Sequence, residues 1–519
     1  MHATVSIWEA TAERHGYPRV ERDDLHVDVA VVGAGITGAT AAVLVKLAGA
    51  RVALVDARTV GSGVTAGTTA HITEVIDTRY RTLEDRFGED GARMAAQSSR
   101  AAIERIAELS RRLSIRCDLE RLPGYLFTER EDEVEELKSE LEAARRAGVR
   151  AELERPALPI VVKAGIRFDD QATFNPLSYV LGLADRVEGD GSYVFENSRV
   201  LAIDDGDPCL LHFENGATLR AGQVILATHA PIDSVILNTR IAQYRSYVVA
   251  GPVEQAPHGL FWDTASPYHY VRSYRAGGRT ELIVGGEDHR TGQDPETEEA
   301  FDRLAEYAAR FGLEAVERRW SAQVIEPVDG LPFIGKNPDS DRVYVATGFS
   351  GNGMTLGTVA AMILSDACLG RPNPYADLYA ATRVKPFAGL GTFISTNVAF
   401  PLHLLSDRLR PPEVRSVEEI ERDDGRIVRV AGERLAVYRD VAGSYHAVSA
   451  ICTHLGCQVA FNRAEKSWDC PCHGSRFALD GSVLDGPAIT PLAQRGIAAP
   501  ETSHDAPREA LRKRADTGG

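Results

Sequence analysis

Four of the seven cysteines crowd into residues 452–472, within Cys452-Thr453-His454-Leu455-Gly456-Cys457 and Cys470-Pro471-Cys472-His473-Gly474-Ser475. Thiolate sulfur and imidazole nitrogen are metal ligands, and this C-x-H and C-x-x-H pair could hold one zinc ion. Such crowding marks a site rather than a general disulfide framework. Cys117, Cys209 and Cys368 are scattered and read as small buried apolar residues.

A second chemistry lies near the N-terminus. The Val-rich run Asp28–Val32 leads into Gly33-Ala34-Gly35-Ile36-Thr37-Gly38 and a helix of small residues. This is the order a dinucleotide pyrophosphate needs. Gly33 permits the tight turn, Gly35 lets backbone approach phosphate, and Gly38 lets helix and strand pack closely. The helix then presents its unpaired N–H groups to the anion. A second strand, Arg51–Val55, ends in Asp56, where a carboxylate accepts hydrogen bonds from a ribose diol and repels a 2′-phosphate.

These residues need a large scaffold to hold them. The 519-residue chain has room for two or three domains, and its 25% charged and 44% hydrophobic content is that of a globular protein. A formal net charge of −16 disfavours nucleic acid and anionic membrane as partners. No apolar run reaches the roughly 18 residues of a spanning helix, and the first 24 residues lack a basic start and apolar core, so a cytoplasmic location is expected. After a polar lead-in (1–24), residues 59–71 form a Gly/Thr loop suited to backbone contact with a flat ligand. Helical spacing covers 79–113, 131–147 and 297–311, and a mostly β pattern with a Gly277-Gly278 turn covers 241–290. Gln223–Thr228 is another buried strand, and Val343–Thr355 is a second strand-glycine-helix unit whose helix runs to about Leu369. Six prolines in 371–415 suggest a long connection to a further domain.

Residues 25–380 resemble the FAD-dependent oxidoreductases that include D-amino-acid oxidase, glycine oxidase and sarcosine oxidase. The resemblance rests on Gly33–Gly38 with Asp56, Gly67-Thr68-Thr69, Ala227-Thr228, Trp320 with Asp329–Gly335, and Gly348–Met354. It implies a discontinuous Rossmann-like α/β FAD-binding domain with an inserted α+β substrate domain, mainly about 236–325, over the reactive face of the flavin. It implies FAD contacts from Gly33, Ala34, Gly35, Ile36, Thr37, Gly38, Asp56, Ala57, Arg58, Gly67, Thr68, Thr69, Ala70, His71, Val200, Ala227, Thr228, Gly335, Gly348, Gly351, Asn352, Gly353, Met354 and Thr355. Gly67–His71 should run beside the isoalloxazine, and Gly351–Thr355 should bring a positive helix end to its pyrimidine ring. Thr69-Ala70-His71 keeps the histidine, without the tryptophan, of the loop that carries FAD covalently in dimethylglycine and sarcosine dehydrogenases. Tyr244, Arg245, Tyr270, Arg272 and His289 come from the β-rich roof and are candidate substrate groups. An Arg there could hold a carboxylate in bidentate fashion, although each also reads as an ordinary surface or sheet-packing residue. No general base is assigned.

Residues 416–505 form a small β-rich module. Its two Cys/His segments, with Gly456, Gly474 and Gly486-Pro487-Ala488, resemble an all-β Rieske [2Fe–2S] domain. The resemblance implies that Cys452 and Cys470 hold one iron and His454 and His473 the other. It also implies a Cys457–Cys472 disulfide, as in the Rieske proteins of cytochrome bc complexes, although disulfides are uncommon in a reducing cytoplasm. Residues 381–415 are then a linker and 506–519 a polar tail. No second G-x-G-x-x-G follows a strand, which argues for an organic electron donor rather than a nicotinamide. A Rieske oxygenase would need a mononuclear iron held by two His and a carboxylate, and no two histidines lie at short helical spacing beside an acid. The expected activity is dehydrogenation of a small amine or amino acid by hydride transfer to FAD, with electrons leaving through the cluster to an acceptor protein. The alternatives are an oxidase using oxygen with a structural or regulatory Rieske domain, and an electron-transfer protein with no small-molecule substrate.

Overall fold

The computed structural model describes residues 5–23, 25–232, 234–294, 296–338, 340–384 and 412–496. Most of the expected linker, the end of the β-rich module and the whole polar tail lie outside these described residues.

Tyr193–Phe195, Val52–Val55, Leu25–Val32, Thr218–Leu226 and Val343–Thr347 form a parallel sheet in that spatial order, with Phe333–Lys336 antiparallel at one edge. Strand Leu25–Val32 is central, and its last four residues are all buried, as a strand covered on both faces requires. Helices Ile36–Leu47 and Gly353–Cys368 pack on this sheet and on one another. Their close approach depends on Gly357, where a Cβ would lie 2.7 Å from Thr37 Oγ1.

A nine-stranded sheet forms the second layer. Its order is Arg318–Pro327, Ile241–Pro252, Arg279–Arg290, His269–Ala276, Leu260–Asp263, Glu120–Thr128, Ala164–Thr173 and His71–Ile72, with Ala151–Leu153 also pairing on Ala164–Thr173. It therefore draws strands from 71–173 as well as from the 236–325 stretch. Leu260–Asp263 pairs with Glu120–Thr128 in parallel, in a register that opposes Leu260 to Gly124. Pairing across so long a sequence interval leaves no local signature. Helix Thr297–Ala309 seals one face through Phe301, Leu304 and Tyr307.

The helical pattern at 79–113 becomes Tyr80–Arg112, interrupted at Gly88 with φ 75°. The pattern at 131–147 becomes Val134–Arg146 after a single 3-10 turn. The lead-in is less polar in effect than its composition. Ile7–Thr11 is a helix held by a Ser6/Glu9 capping box, and it buries Trp8 completely against Tyr274 and Arg272.

The C-terminal module is two antiparallel sheets. One contains Asp424–Val430, Glu433–Arg439, Tyr445–Ser449 and Gln494–Arg495. The other contains Ala460–Asn462, Ser467–Asp469, Arg476–Phe477 and Val483–Asp485. Among the described residues no helix is long and apolar enough to cross a membrane.

Candidate functional sites

The turn after Leu25–Val32 closes tightly. Gly33 has φ 101°, and a Cβ on it would lie 2.4 Å from the Ala227 carbonyl oxygen. A Cβ on Gly38 would lie 1.8 Å from the Gly33 carbonyl oxygen. Helix Ile36–Leu47 begins at Gly35, which has no side chain to cap it; the Ile36 N–H donates to Thr65 Oγ1 at 3.0 Å, and the rest of the positive end faces an anion site. Asp56 is fixed at the neighbouring strand end, accepting from the Ala34 and Arg58 N–H groups at 2.8 Å each. These residues open onto a cavity of about 410 Å³, within the range of cofactor sites.

The cavity wall includes Gly33, Gly35, Ile36, Thr37, Asp56, Ala57, Arg58, Gly67, Thr68, Thr69, His71, Val200, Ala227, Thr228, Gly351, Asn352, Gly353 and Met354. Ala34, Gly38, Ala70, Gly335, Gly348 and Thr355 are not among its lining residues. Thr355 accepts from the Thr73 N–H at 3.0 Å. An open turn, a helix N-terminus and a positioned acid fit a dinucleotide.

The other end of the cavity is aromatic, with Trp262, Tyr268 and Tyr270 beside His71. The ring of Tyr270 lies edge-on to His71 at 5.9 Å and fits only because residue 285 is Gly, where a Cβ would come within 2.0 Å of it. Nδ1 of His71 is 3.1 Å from Thr69 Oγ1, and its Nε2 is buried without a hydrogen-bond partner. Burial, reinforced by the charge of Arg272, pushes the His71 imidazole down to about 3. It is therefore neutral at physiological pH. The Tyr270 hydroxyl is 2.6 Å from Ser246 Oγ, and Ser246 in turn hydrogen-bonds Asp288, whose Oδ1 is buried and partnerless. Burial pushes the Asp288 carboxyl up to about 7 against the Ser246 hydrogen bond; Glu326 and Asp77 add to the rise and His269 opposes it.

Of the five candidate substrate groups only Tyr270 lines this cavity. Arg272 is buried and donates to the carbonyls of Thr69, Ala70 and Phe174, so it fixes the loop Gly67–His71 instead of lining the cavity. Arg245 is 2% exposed and pairs with Glu465 at 2.5 Å and Asp485 at 3.8 Å. His289 is bonded to Tyr247 and to the Arg290 carbonyl, and Tyr244 lies under Arg290.

The cluster-type site is two matching loops. In each, a Gly N–H closes on a Cys carbonyl at 3.0 Å, Gly456 on Cys452 and Gly474 on Cys470, and both glycines are left-handed (φ 80° and 67°). Cys452 and Cys470 are buried free thiols in mutual hydrogen-bond contact. The rings of His454 and His473 stand 5.0 Å apart and nearly perpendicular. Burial lowers both imidazoles, which keeps them neutral and able to donate a lone pair. Cys457 and Cys472 form a disulfide. Their sulfurs and that of Cys470 lie within 4.8 Å of one another, but the two bridged cysteines have no thiolate to offer a metal. Two thiols and two imidazoles remain, a donor set that fits a Rieske centre.

A family model of FAD dependent oxidoreductases matches residues 28–367, well over half of the chain. The chain belongs to this family. A model of Rieske [2Fe-2S] domains matches residues 411–496, so the oxidoreductase binds FAD in its first part and a [2Fe–2S] cluster in its last. A Bacillus subtilis protein named as a Rieske 2Fe-2S iron-sulfur protein is 32% identical over 498 residues, covering 95% of this chain and 97% of its own. The Rieske part is 38% identical over 120 residues to the cytochrome b6-f complex iron-sulfur subunit of Chlorobaculum tepidum, covering 21% of this chain and 64% of that one. The fold is also that of glycine oxidase from Geobacillus kaustophilus (TM-score 0.60, 19% identity, 69% of this chain and 99% of that one). L-Proline dehydrogenase from P. horikoshii is similar (TM-score 0.57, 17% identity, 69% and 98%).

The two halves of the oxidoreductase meet at their sites. Gln323 lines the same cavity, and its Nε2 donates to the carbonyl of Gly474, the residue after His473, at 2.8 Å and to Gln243 Oε1 at 2.7 Å. A Cβ at Gly474 would lie 2.0 Å from Gln243 Oε1, so this contact needs glycine. His229, also on the cavity wall, sits at φ 66° beside Asp485, with its Nε2 buried and unpaired. Sequence reading does not single out Ser246, Trp262, Tyr268, His229, Gln323 or Asp288. No motif surrounds them, and only the β pattern of 241–290 and the small-residue strand end at 227–228 point to their neighbourhood.

Ser475 hydrogen-bonds the Cys452 sulfur, whereas Phe477, fully buried, has no hydroxyl to give. Hydrogen bonds to ligand sulfur stabilise the reduced cluster. Ser475→Ala is expected to lower the potential by about 60–130 mV, converting about 1.5–3 kcal/mol for a hydrogen bond to a charged acceptor at about 59 mV per tenfold. Phe477→Tyr is expected to raise it. Protein-film voltammetry of the three proteins reads both shifts, and an unchanged potential in either variant contradicts the assignment.

Proposed function

We propose that the protein dehydrogenates a small amine or amino acid at FAD and passes the electrons singly through its Rieske cluster to an acceptor protein. Bound FAD accepts a hydride from an organic substrate, and a Rieske cluster carries one electron at a time. The single observation behind this reading is the Gln323 bridge, because the same side chain touches the flavin cavity and the backbone next to a cluster ligand. We assign Cys452, Cys470, His454 and His473 to the cluster. The turn at Gly33–Gly38 takes the pyrophosphate, Asp56 the ribose, and the loop Gly67–His71 the isoalloxazine.

The organic substrate then occupies the aromatic end, near Tyr270 and Trp262. The glycine oxidase and L-proline dehydrogenase of similar fold, each named for an amino acid, are in keeping with that substrate class. An ammonium group must lose a proton before its carbon can give up hydride. Tyr270, Ser246 and Asp288 form a path for it: the amine proton goes to Tyr270 oxygen, that of Tyr270 to Ser246, and that of Ser246 to the Asp288 carboxylate.

A carboxyl raised to about 7 is ionised, and able to accept, only above that pH, so flavin reduction should accelerate as pH rises through 7. Asp288→Asn should remove this limb and slow reduction by about 10²-fold, the lower end for general-base groups. A pH profile unchanged in the variant argues against the path.

Because Ala70 stands where the covalent loops carry tryptophan, we assign His71 a non-covalent contact. Acid precipitation should release the flavin into the supernatant, whereas yellow colour in the pellet means covalent attachment.

The decisive experiment is anaerobic stopped flow with a panel of amines and amino acids. Flavin bleaching followed by cluster reduction supports the proposal. Flavin bleaching without cluster reduction, or bleaching by none of the panel, overturns it in favour of an oxidase or an electron carrier respectively.

A further inference from the structure

The flavin cavity is not built from the oxidoreductase part alone. Val483, Leu484, Asp485, Gly486, Ala488 and Ile489, all within the Rieske domain, form part of its wall. We infer that this Rieske segment completes the FAD site, so that FAD binding and docking of the Rieske domain stabilise one another.

Three sets of contacts fix the segment where FAD must lie. Arg199, a cavity residue, donates to the Val483 carbonyl at 3.4 Å. Gly486 lies beside Ala230, where a Cβ on it would come within 3.7 Å of the Ala230 side chain. Asp485 faces Arg58, the residue two after the proposed ribose-binding Asp56. From the other side, the Ala488 N–H donates to Ser475 Oγ at 3.0 Å, and Ser475 also hydrogen-bonds the Cys452 sulfur. The wall of one cofactor site is thus tied by a single side chain to a ligand of the other.

The physical consequence is linkage. A ligand that touches two docked parts binds more weakly when they separate, and by reciprocity its binding strengthens the docking by the same factor. Leu484 and Ile489 are partly exposed to the cavity without bonds to the docking network, so trimming them removes contact with FAD while leaving the interface intact. FAD itself is the probe, titrated into full-length apoprotein from a riboflavin-limited culture that still carries its cluster.

The variant Leu484→Ala/Ile489→Ala should bind FAD about tenfold or more weakly, the effect of removing part of two aliphatic contacts. Its cluster EPR spectrum should match wild type, which certifies the Rieske fold. In wild-type apoprotein, FAD should slow amide exchange across 483–489 and across the Rieske side of the interface. A dissociation constant within about twofold of wild type, together with exchange at 483–489 indifferent to FAD, overturns the inference. Neither readout requires turnover, so these results are independent of whether electrons pass between the centres.

Discussion

Arg245→Ala should loosen the Rieske domain from the oxidoreductase part at a cost of about 3–5 kcal/mol, the range for removing one partner of a buried ion pair. Arg245 reaches from strand Ile241–Pro252 into the other domain, donating from Nε to Glu465 at 3.0 Å and lying 3.8 Å from Asp485. Arg476 shares both acids and adds Asp469, each at 3.0 Å. Without Arg245, the buried Arg476 is left with Glu465, Asp469 and Asp485, with Arg58 acting only on Asp485, and the uncompensated charge drives the cost. Denaturant unfolding, followed by cluster absorbance, should show an earlier Rieske transition in Arg245→Ala. An unshifted midpoint contradicts the role given to this network.

The same network fixes a pH dependence. Burial opposes the charge on Asp485, yet Arg476, Arg58 and Arg245 together hold its carboxyl down to about 2. A depressed carboxyl stabilises the native state fully above the unfolded value near about 4. That contribution fades as pH falls from there towards 2. The part of it that Arg58 and Arg245 supply from across the interface is expected to be lost as pH falls below about 4, which the Rieske unfolding midpoint measured between pH 7 and pH 3 would show.

The second large effect concerns the disulfide. Cys457 and Cys472 are separated by 15 positions, and closing a loop of that size stabilises by about 3 kcal/mol in the chain-entropy account. The double variant Cys457→Ser/Cys472→Ser should unfold its Rieske domain at lower denaturant by that amount, and reductant should bring wild type to the same midpoint. It should still carry the cluster. Cys452→Ser and Cys470→Ser, by contrast, should abolish the cluster EPR signal, because no neighbouring thiolate can replace the missing ligand. Loss of the cluster in the double variant alone would reverse these assignments.

Both cofactors were legible in the amino-acid order because each depends on short-range geometry. Gly33, Gly35 and Gly38 act within one turn, and Asp56 follows on the adjacent strand. The proposed ligands Cys452/His454 and Cys470/His473 sit on two loops whose spacing suits that chemistry. The substrate side was not legible. Arg245 and Arg272 look equally suited to hold a carboxylate in a β-rich stretch, and burial alone separates them from that task. One is spent across the domain interface and the other on four backbone carbonyls. Trp8 sits in a polar lead-in, yet its burial is decided by Tyr274 and Arg272, more than 260 residues away.

The sequence by itself determined which two redox groups this protein carries and which side chains are suited to hold them, since residues a few positions apart meet whatever the rest of the chain does. Tertiary structure alone decided that Tyr270, Ser246 and Asp288 share a hydrogen-bonded path, that Gln323 links the cavity wall to the backbone beside His473, and that residues of the segment 483–489 line the proposed FAD cavity. Those contacts join residues from different strands and domains, and pairings at such range are set by the packing of whole sheets rather than by any local pattern.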